Sequence, residues 1–452
     1  MGGTLKDAVD ADPSPRTRLL TVVLHYDDAL TPCAQLMVWP GTKVTFGRGT
    51  KDSFDAGRFT LNDPRVSTDH AELLLEGEGA VLRDLGSSNG SWVNGRRVPG
   101  RTSLASGDLI ELGRTVLVYR EAPTPQANHV LANTAAGPGA TFGSLRTLNP
   151  ELGDIYRQLS KLAATGQPGL IVGETGTGKD VVARELHRAS GRSGLLVAVD
   201  CGAVPDTLFE STLFGHERGA FTGATEARVG EIARAHEGTL LLDEVGNLTP
   251  AAQAKLLRVM ETSLIARLGG TKTQQFDIRW LAATNRLLLE EGDDFRADLL
   301  HRLAGFVVSL PPLRSRREDL GLLIADLLTA MGVQKATITP AAGRSLMNHT
   351  LGGNVRQLRN VLQRAAHAGG EVVIDEGSLG VLEQSEPREP PGDENANRAL
   401  VPDQASLEAA LVNANGNVAE AARTLGTYPK QLYRWMARAG VAPGRFRDGS
   451  KR

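Results

Sequence analysis

The sequence predicts a multidomain chain of three fold classes: an all-β sandwich, an α/β P-loop domain on a parallel sheet, and an all-α helix-turn-helix. Three observations carry this. Short apolar runs separated by glycine-rich and Asn-Gly turns fill the first block. Strands then alternate with helices around the glycine-rich stretch "GETGTGKD". Near the end, Leu407, Ala410, Leu411 and Ala414, then Val418, Ala421, Ala422 and Leu425, recur at the spacing of one helix face.

The chain has 452 residues and a net charge of −2, enough length for several cores and no overall basic excess to announce nucleic acid. Cys33 and Cys201 stand far apart and form no metal or disulfide pattern, which fits a reducing compartment. No stretch is long and apolar enough to span a membrane, and "MGGTLKDAVDADPSP" has no apolar signal core, so a cytoplasmic protein without membrane partners is expected. Pro-rich stretches divide the chain: a disordered tail over 1–16, a sandwich over 17–120, a linker over 121–140, an α/β domain over 141–383, a second linker over 384–404, a helical domain over 405–441 and a basic tail over 442–452. The first linker reads as flexible enough to allow two arrangements of its neighbours.

In the middle block, the strand "GLIVG" runs into a loop ending in Lys179 and then a helix. Backbone amides of such a loop cradle phosphates while the lysine reaches the β and γ groups. The usual closing Ser or Thr is replaced by Asp180. "GTLLLDEVG" ends a buried strand in Asp243 and Glu244, a pair suited to holding Mg²⁺ and polarising an attacking water. "LAATN" puts Thr284 and Asn285 at another strand end, where a polar group can sense the γ-phosphate. Arg296 and Arg302 in "FRADLLHRL" are six apart and suit different phosphate-side contacts, including one from a neighbouring subunit. "GAFTGA" sets Phe221 and Thr222 between glycines, an exposed aromatic loop of the kind that marks a contact site.

Together with "ESTLFGHERGAFTGA", "PPLRSRREDL" and "GGNVRQLRN", these motifs resemble, in order, the AAA+ domain with its helical lid found in sigma-54-dependent transcriptional activators. In that family the residue after the P-loop lysine is acidic, so Asp180 is a family variant. The resemblance implies ATP and Mg²⁺ as cofactors, with Gly173, Glu174, Thr175, Gly176, Thr177, Gly178, Lys179 and Asp180 as Walker A. It also implies Asp243 (the Mg²⁺ ligand) and Glu244 as Walker B, and Thr284 and Asn285 as sensor I. Arg296 and Arg302 become arginine fingers acting in trans, and Arg356 becomes sensor II. The loop Gly219, Ala220, Phe221, Thr222, Gly223 and Ala224 would touch sigma-54 RNA polymerase, and the ring would be a homo-hexamer. Three positions depart from the pattern. Asp200 stands where the family has an Asn that restrains the Walker B glutamate, Asn247 replaces an Asp, and "LGGNVRQL" lacks a Trp-Pro. The first is expected to alter how hydrolysis is gated, the other two to be tolerated.

In the last block, Gly426 closes one helix, Thr427 is an N-cap and Pro429 sits in the first turn of the next. That second helix would enter a major groove with Lys430, Gln431 and Arg434 outward. The segment resembles the factor-for-inversion-stimulation type helix-turn-helix, which implies enhancer DNA as partner. The first block resembles a forkhead-associated (FHA) domain through "FGR", "VSTDHAEL", "DLGSSNGSWVNGRRV" and "LASGDLIELG". The resemblance puts Arg48, Ser67, Thr68, Ser88 and Asn89 in phosphothreonine-binding positions, with His70 bracing the loops. It implies a phosphothreonine-containing partner linked to a Ser/Thr kinase.

Overall fold

The computed structural model describes residues 16–380 apart from 32, 39–42, 77–78, 124–139, 205, 222–223, 286–294 and 367–370, and beyond them 407, 411, 412 and 414. The linker over 384–404, both tails except Arg16, Thr222, Gly223, and the DNA-reading positions Lys430, Gln431 and Arg434 lie outside the described residues.

The first block is the expected sandwich. One sheet orders the strands Ala34–Val38, Arg16–His25, Thr115–Pro123, Leu109–Leu112, Ser91–Val93 and Arg96–Arg97. The other orders Arg101–Leu104, Gly79–Asp84, Ala71–Glu76, Lys43–Arg48, Arg58–Leu61 and Ser53–Asp55. Phe46, Phe59, Leu73, Leu82, Leu112 and Leu117 fill the space between them. Asn94 and Gly95 take φ of 50° and 76° and turn the chain between Ser91–Val93 and Arg96–Arg97, as a two-residue hairpin requires. The strand Thr115–Pro123 runs past the expected boundary at 120, because Glu121, Ala122 and Pro123 go on pairing with Arg18, Thr17 and Arg16.

The middle block holds a five-stranded parallel sheet in the order Leu196–Asp200, Thr239–Asp243, Arg279–Thr284, Gly169–Val172 and Phe306–Ser309. The three inner strands are buried along almost their whole length, as a sheet covered on both faces demands, while the edge strands Leu196–Asp200 and Phe306–Ser309 alternate buried and less buried positions. Asp200 lies in register with Asp243, and Val172 with Thr284, so all four strand ends reach one edge. The lid adds helices Leu320–Ala330, Pro340–Asn348 and Asn354–Ala366, with Lys335–Ile338 paired in parallel to Glu371–Ile374.

The sandwich and the lid share one core. Val23, Leu24, Tyr26, Ala29, Leu109, Val116 and Val118 pack with Leu320, Ile324, Leu328, Ile338, Leu346 and Met347. The backbones bond directly: Ala29 N–H to Ala336 O and Ile338 N–H to Tyr26 O, both at 2.8 Å. Two helical glycines allow this approach. A Cβ on Gly321 would stand 2.8 Å from the Val23 carbonyl carbon, and one on Gly343 would stand 2.8 Å from Cζ of Tyr26. The linker expected to free the first domain therefore joins two bodies that are already docked.

In the separate C-terminal unit, residues 407, 411 and 412 are helical. Leu407, Leu411 and Ala414 of the expected apolar face are buried and Val412 is exposed.

Candidate nucleotide and phosphothreonine sites

The loop between Val172 and Lys179 wraps the edge where the strands end. Gly176 takes φ of 80° and Gly178 φ of 105°, backbone that side chains rarely adopt. A Cβ on Gly176 would also meet Gly353 O and stand 3.0 Å from Cβ of Arg356. Lys179 opens the helix Lys179–Ser190 and is buried. Its ammonium donates to Gly173 O at 2.9 Å and lies 3.6 Å from Glu244 Oε1. Thr177 is buried and donates to Glu174 O at 2.8 Å, while the Thr175 hydroxyl is exposed. Asp180 does not face this cradle: its carboxylate is tied to Arg184 one turn on, both exposed.

Asp243 and Glu244 arrive from the neighbouring strand. Burial raises the Asp243 carboxyl above its ordinary range, with the Glu244 and Asp200 charges adding and Lys179 opposing. Glu244 sits in the left-handed region at φ 51° and ψ 47°, a costly setting for a side chain, and one found where a site is held in place. Asn285 ties the two halves together. Its N–H reaches Glu244 Oε2 and its Nδ2 reaches Thr175 Oγ1, both at 3.4 Å. Thr284 is buried, and its carbonyl takes the Gly173 N–H at 3.1 Å.

Asp200, in register with Asp243, is engaged within its own turn. Its Oδ1 accepts from its own turn, from Gly202 N–H at 2.9 Å and Ala203 N–H at 3.1 Å. Glu244 is engaged by Lys179 and Asn285. The charge of Asp200 is felt at Asp243.

Arg296 caps the helix Ala297–Leu303 and Arg302 lies in its last turn, both exposed. Arg296 pairs with Asp298 through Nη2 at 2.7 Å. Arg356 is exposed beside Gly176.

Lid residues outside the motif roles named above also grip the P-loop. Arg314 of "PPLRSRRED" holds Glu174 with two parallel bonds at 2.6 and 2.5 Å, and lowers its carboxyl. Asn354, buried at φ 52°, donates to Thr175 O at 3.0 Å, and Arg316 donates to Thr177 O at 3.0 Å. The only hint in the sequence was the placing of these residues inside two quoted motifs.

In the "GAFTGA" stretch, Gly219 N–H bonds Ala224 O and Ala224 N–H bonds Phe221 O. Ala224 is buried, Ala220 folds against Gly269, and Phe221 is 39% exposed, with its ring centroid 5.0 Å from that of His216 in an edge-to-face arrangement.

On the sandwich, Arg48, Ser67, Thr68, Ser88 and Asn89 come together at one end. Arg48, Thr68, Ser88 and Asn89 are exposed. Ser67 O takes the Arg48 N–H at 3.0 Å and Ser67 Oγ the Ser88 N–H at 3.1 Å, while Asn89 Nδ2 donates to Arg65 O at 2.7 Å. His70 is buried. Its Nδ1 accepts from Ser67 N–H at 3.0 Å, which assigns the proton to Nε2, 3.2 Å from Gly90 O. Burial lowers the His70 pKa, so the ring is neutral and braces both loops. Arg58 adds a second cation at this end, bonding Thr68 O and pairing with Asp69 at 2.7 Å.

Residues 145–309 match the family model of the sigma-54 interaction domain, and residues 314–394 that of a AAA+ ATPase lid domain. The middle of the chain is similar to the sigma-54 interaction domain. Ahead of it, residues 44–113 match the FHA domain. The anaerobic nitric oxide reductase transcription regulator NorR of Citrobacter koseri is 38% identical over 335 residues, 68% of this chain and 66% of that protein. The Nif-specific regulatory protein of Azotobacter vinelandii is 41% identical over 293 residues, 63% of this chain and 56% of that protein. The chain thus spans about two thirds or less of the length of these curated relatives. NtrX from Brucella abortus is a solved structure similar to this chain, 29% identical over 66% of this chain and 70% of that one, with a TM-score of 0.49. Among the described residues no helix is long and apolar enough to cross a membrane.

Proposed function

We propose that the chain is an ATP-hydrolysing transcriptional activator that opens sigma-54 RNA polymerase promoters, acting as a hexamer on enhancer DNA. The observation that carries this is the convergence of Lys179, Asp243, Glu244 and Asn285 on one sheet edge of a domain that also presents Phe221. The donor set fits the nucleotide. Lys179 spends its donors on loop carbonyls where phosphate oxygens would be better partners, and Asp243 is a half-buried carboxylate suited to a cation. Asp243 would hold Mg²⁺, and Gly173 to Asp180 the phosphates. When bound, Mg²⁺ neutralises charge on the transferred phosphoryl group.

In this reading Lys179 orients the β and γ groups, and Glu244, freed from Lys179, orients the attacking water and takes its proton. Asn285 reports the phosphate to Glu244 through its backbone amide. Arg296 leaves Asp298 to reach a neighbouring subunit's nucleotide, with Arg302 beside it. Residues 405–441 supply the DNA contacts through Lys430, Gln431 and Arg434. The FHA domain takes a phosphothreonine signal from a Ser/Thr kinase, with Arg48 meeting the phosphate. The separating experiment is Thr222→Ala, which should keep ATP hydrolysis but lose open-complex formation at a sigma-54 promoter. Equal transcription from variant and parent would remove the sigma-54 contact and favour a remodelling chaperone.

A further inference from the structure

Arg120 lies on the sandwich strand Thr115–Pro123, yet its guanidinium reaches into the ATPase. Nε donates to Glu318 Oε1, and Nη2 donates to Ser315 O at 3.0 Å. Glu318 is fully buried, and its Oε2 has no hydrogen-bond partner among the described residues. A buried carboxylate stripped of its paired cation is strongly unfavourable, so the segment around it must move or protonate.

That segment is the one that grips the P-loop. Arg314 holds the Glu174 carboxylate, and Arg316 donates to Thr177 O from a buried position. Asp319 next to Glu318 takes the Thr147 hydroxyl at 2.8 Å and the Leu148 N–H at 2.7 Å, which fixes its far end. Residues 314–319 therefore run between an arginine of the FHA domain and the loop that cradles phosphate.

We propose that Arg120 is a positioning residue of the ATP site: by fixing Ser315 and Glu318 it sets Arg314 and Arg316 against the P-loop. The FHA domain is then part of the scaffold of the nucleotide site. The inference rests on the ATPase reading above. By linkage, a ligand that shifts the sandwich changes ATP affinity, and ATP changes affinity for that ligand by the same factor.

The test is steady-state ATP hydrolysis by the full chain. Arg120→Met is expected to raise the KM for ATP about tenfold with kcat within about twofold, because it disturbs binding groups and not the attacking water. Arg120→Lys keeps the charge and reaches one of the two acceptors, so its KM should rise only about threefold. Arg344→Met removes another ion pair of the same interface, Arg344 with Glu111 at 3.1 Å, and should leave KM at the parent value. If Arg120→Met matches the parent, or Arg344→Met shifts KM as much, Arg120 only helps the domains adhere and the inference is overturned. A parent chain that neither binds nor hydrolyses ATP overturns the ATPase reading and this inference with it.

Discussion

Gly321→Ala puts the docking of sandwich on lid to a test of sign. Gly321 lies in the helix Leu320–Ala330, where alanine is intrinsically favoured over glycine by about 1 kcal/mol. A lid free of the sandwich should therefore gain stability. In the docked chain the new methyl overlaps the Val23 carbonyl, standing 2.8 Å from its carbon and 3.0 Å from Cys33 Sγ. Val23 is backbone at a bulge of the strand Arg16–His25, and its carbonyl already accepts from Cys33 Sγ, so both neighbours are held. Overpacking of this kind costs about 1–3 kcal/mol, enough to outweigh the propensity gain. Gly343→Ala meets the Tyr26 ring in the same way. Calorimetry of the full chain should show both substitutions lowering the lid transition by about 2 °C or more. A rise in that transition for both would refute the shared core.

Glu244→Gln should bind ATP as the parent does and fail to turn it over, read by nucleotide binding beside phosphate release; undiminished hydrolysis would remove Glu244 from the chemistry. Asp200→Asn keeps the Oδ1 that accepts from Gly202 and Ala203 but deletes a charge that raises the Asp243 carboxyl. Its acid limb in a pH–rate profile should therefore move to lower pH, and an unmoved limb would make the substitution silent. Arg48→Ala should weaken phosphothreonine-peptide binding about tenfold to a hundredfold, the worth of one charge-assisted bond of about 1.5–3 kcal/mol. Phosphorylated and unphosphorylated peptides binding the parent equally would turn the site into plain protein docking. His70 is held neutral with a folded pKa below its unfolded value of about 6.5, so its contribution is present above that pH and lost as pH falls through the folded pKa. Phosphopeptide affinity should decline in that window, and His70→Asn should flatten the decline.

Where the chain's chemistry depends on local backbone, the sequence made it legible. The strand–loop–helix around Lys179, the strand ending in Asp243 and the hairpin at Asn94-Gly95 are each set by residues adjacent in the chain. What escaped depends on long-range packing. Glu174 and Arg314 are 140 residues apart, and Arg120 and Glu318 are 198 apart. Nothing in either segment alone names its partner. Asp200 likewise shows its partners only in the fold, where its carboxylate accepts from the amides of Gly202 and Ala203. The docking of sandwich on lid was hidden because the need for glycine at 321 and 343 arises only once Val23 and Tyr26 are packed against them.

The most direct measurement is promoter melting at a sigma-54 promoter carrying an enhancer, followed by permanganate reactivity of unpaired thymines with sigma-54 RNA polymerase and the full chain. Reactivity should appear with the parent protein and ATP, and be absent with Glu244→Gln. Melting that proceeds equally without ATP, or equally with Glu244→Gln, would contradict the account.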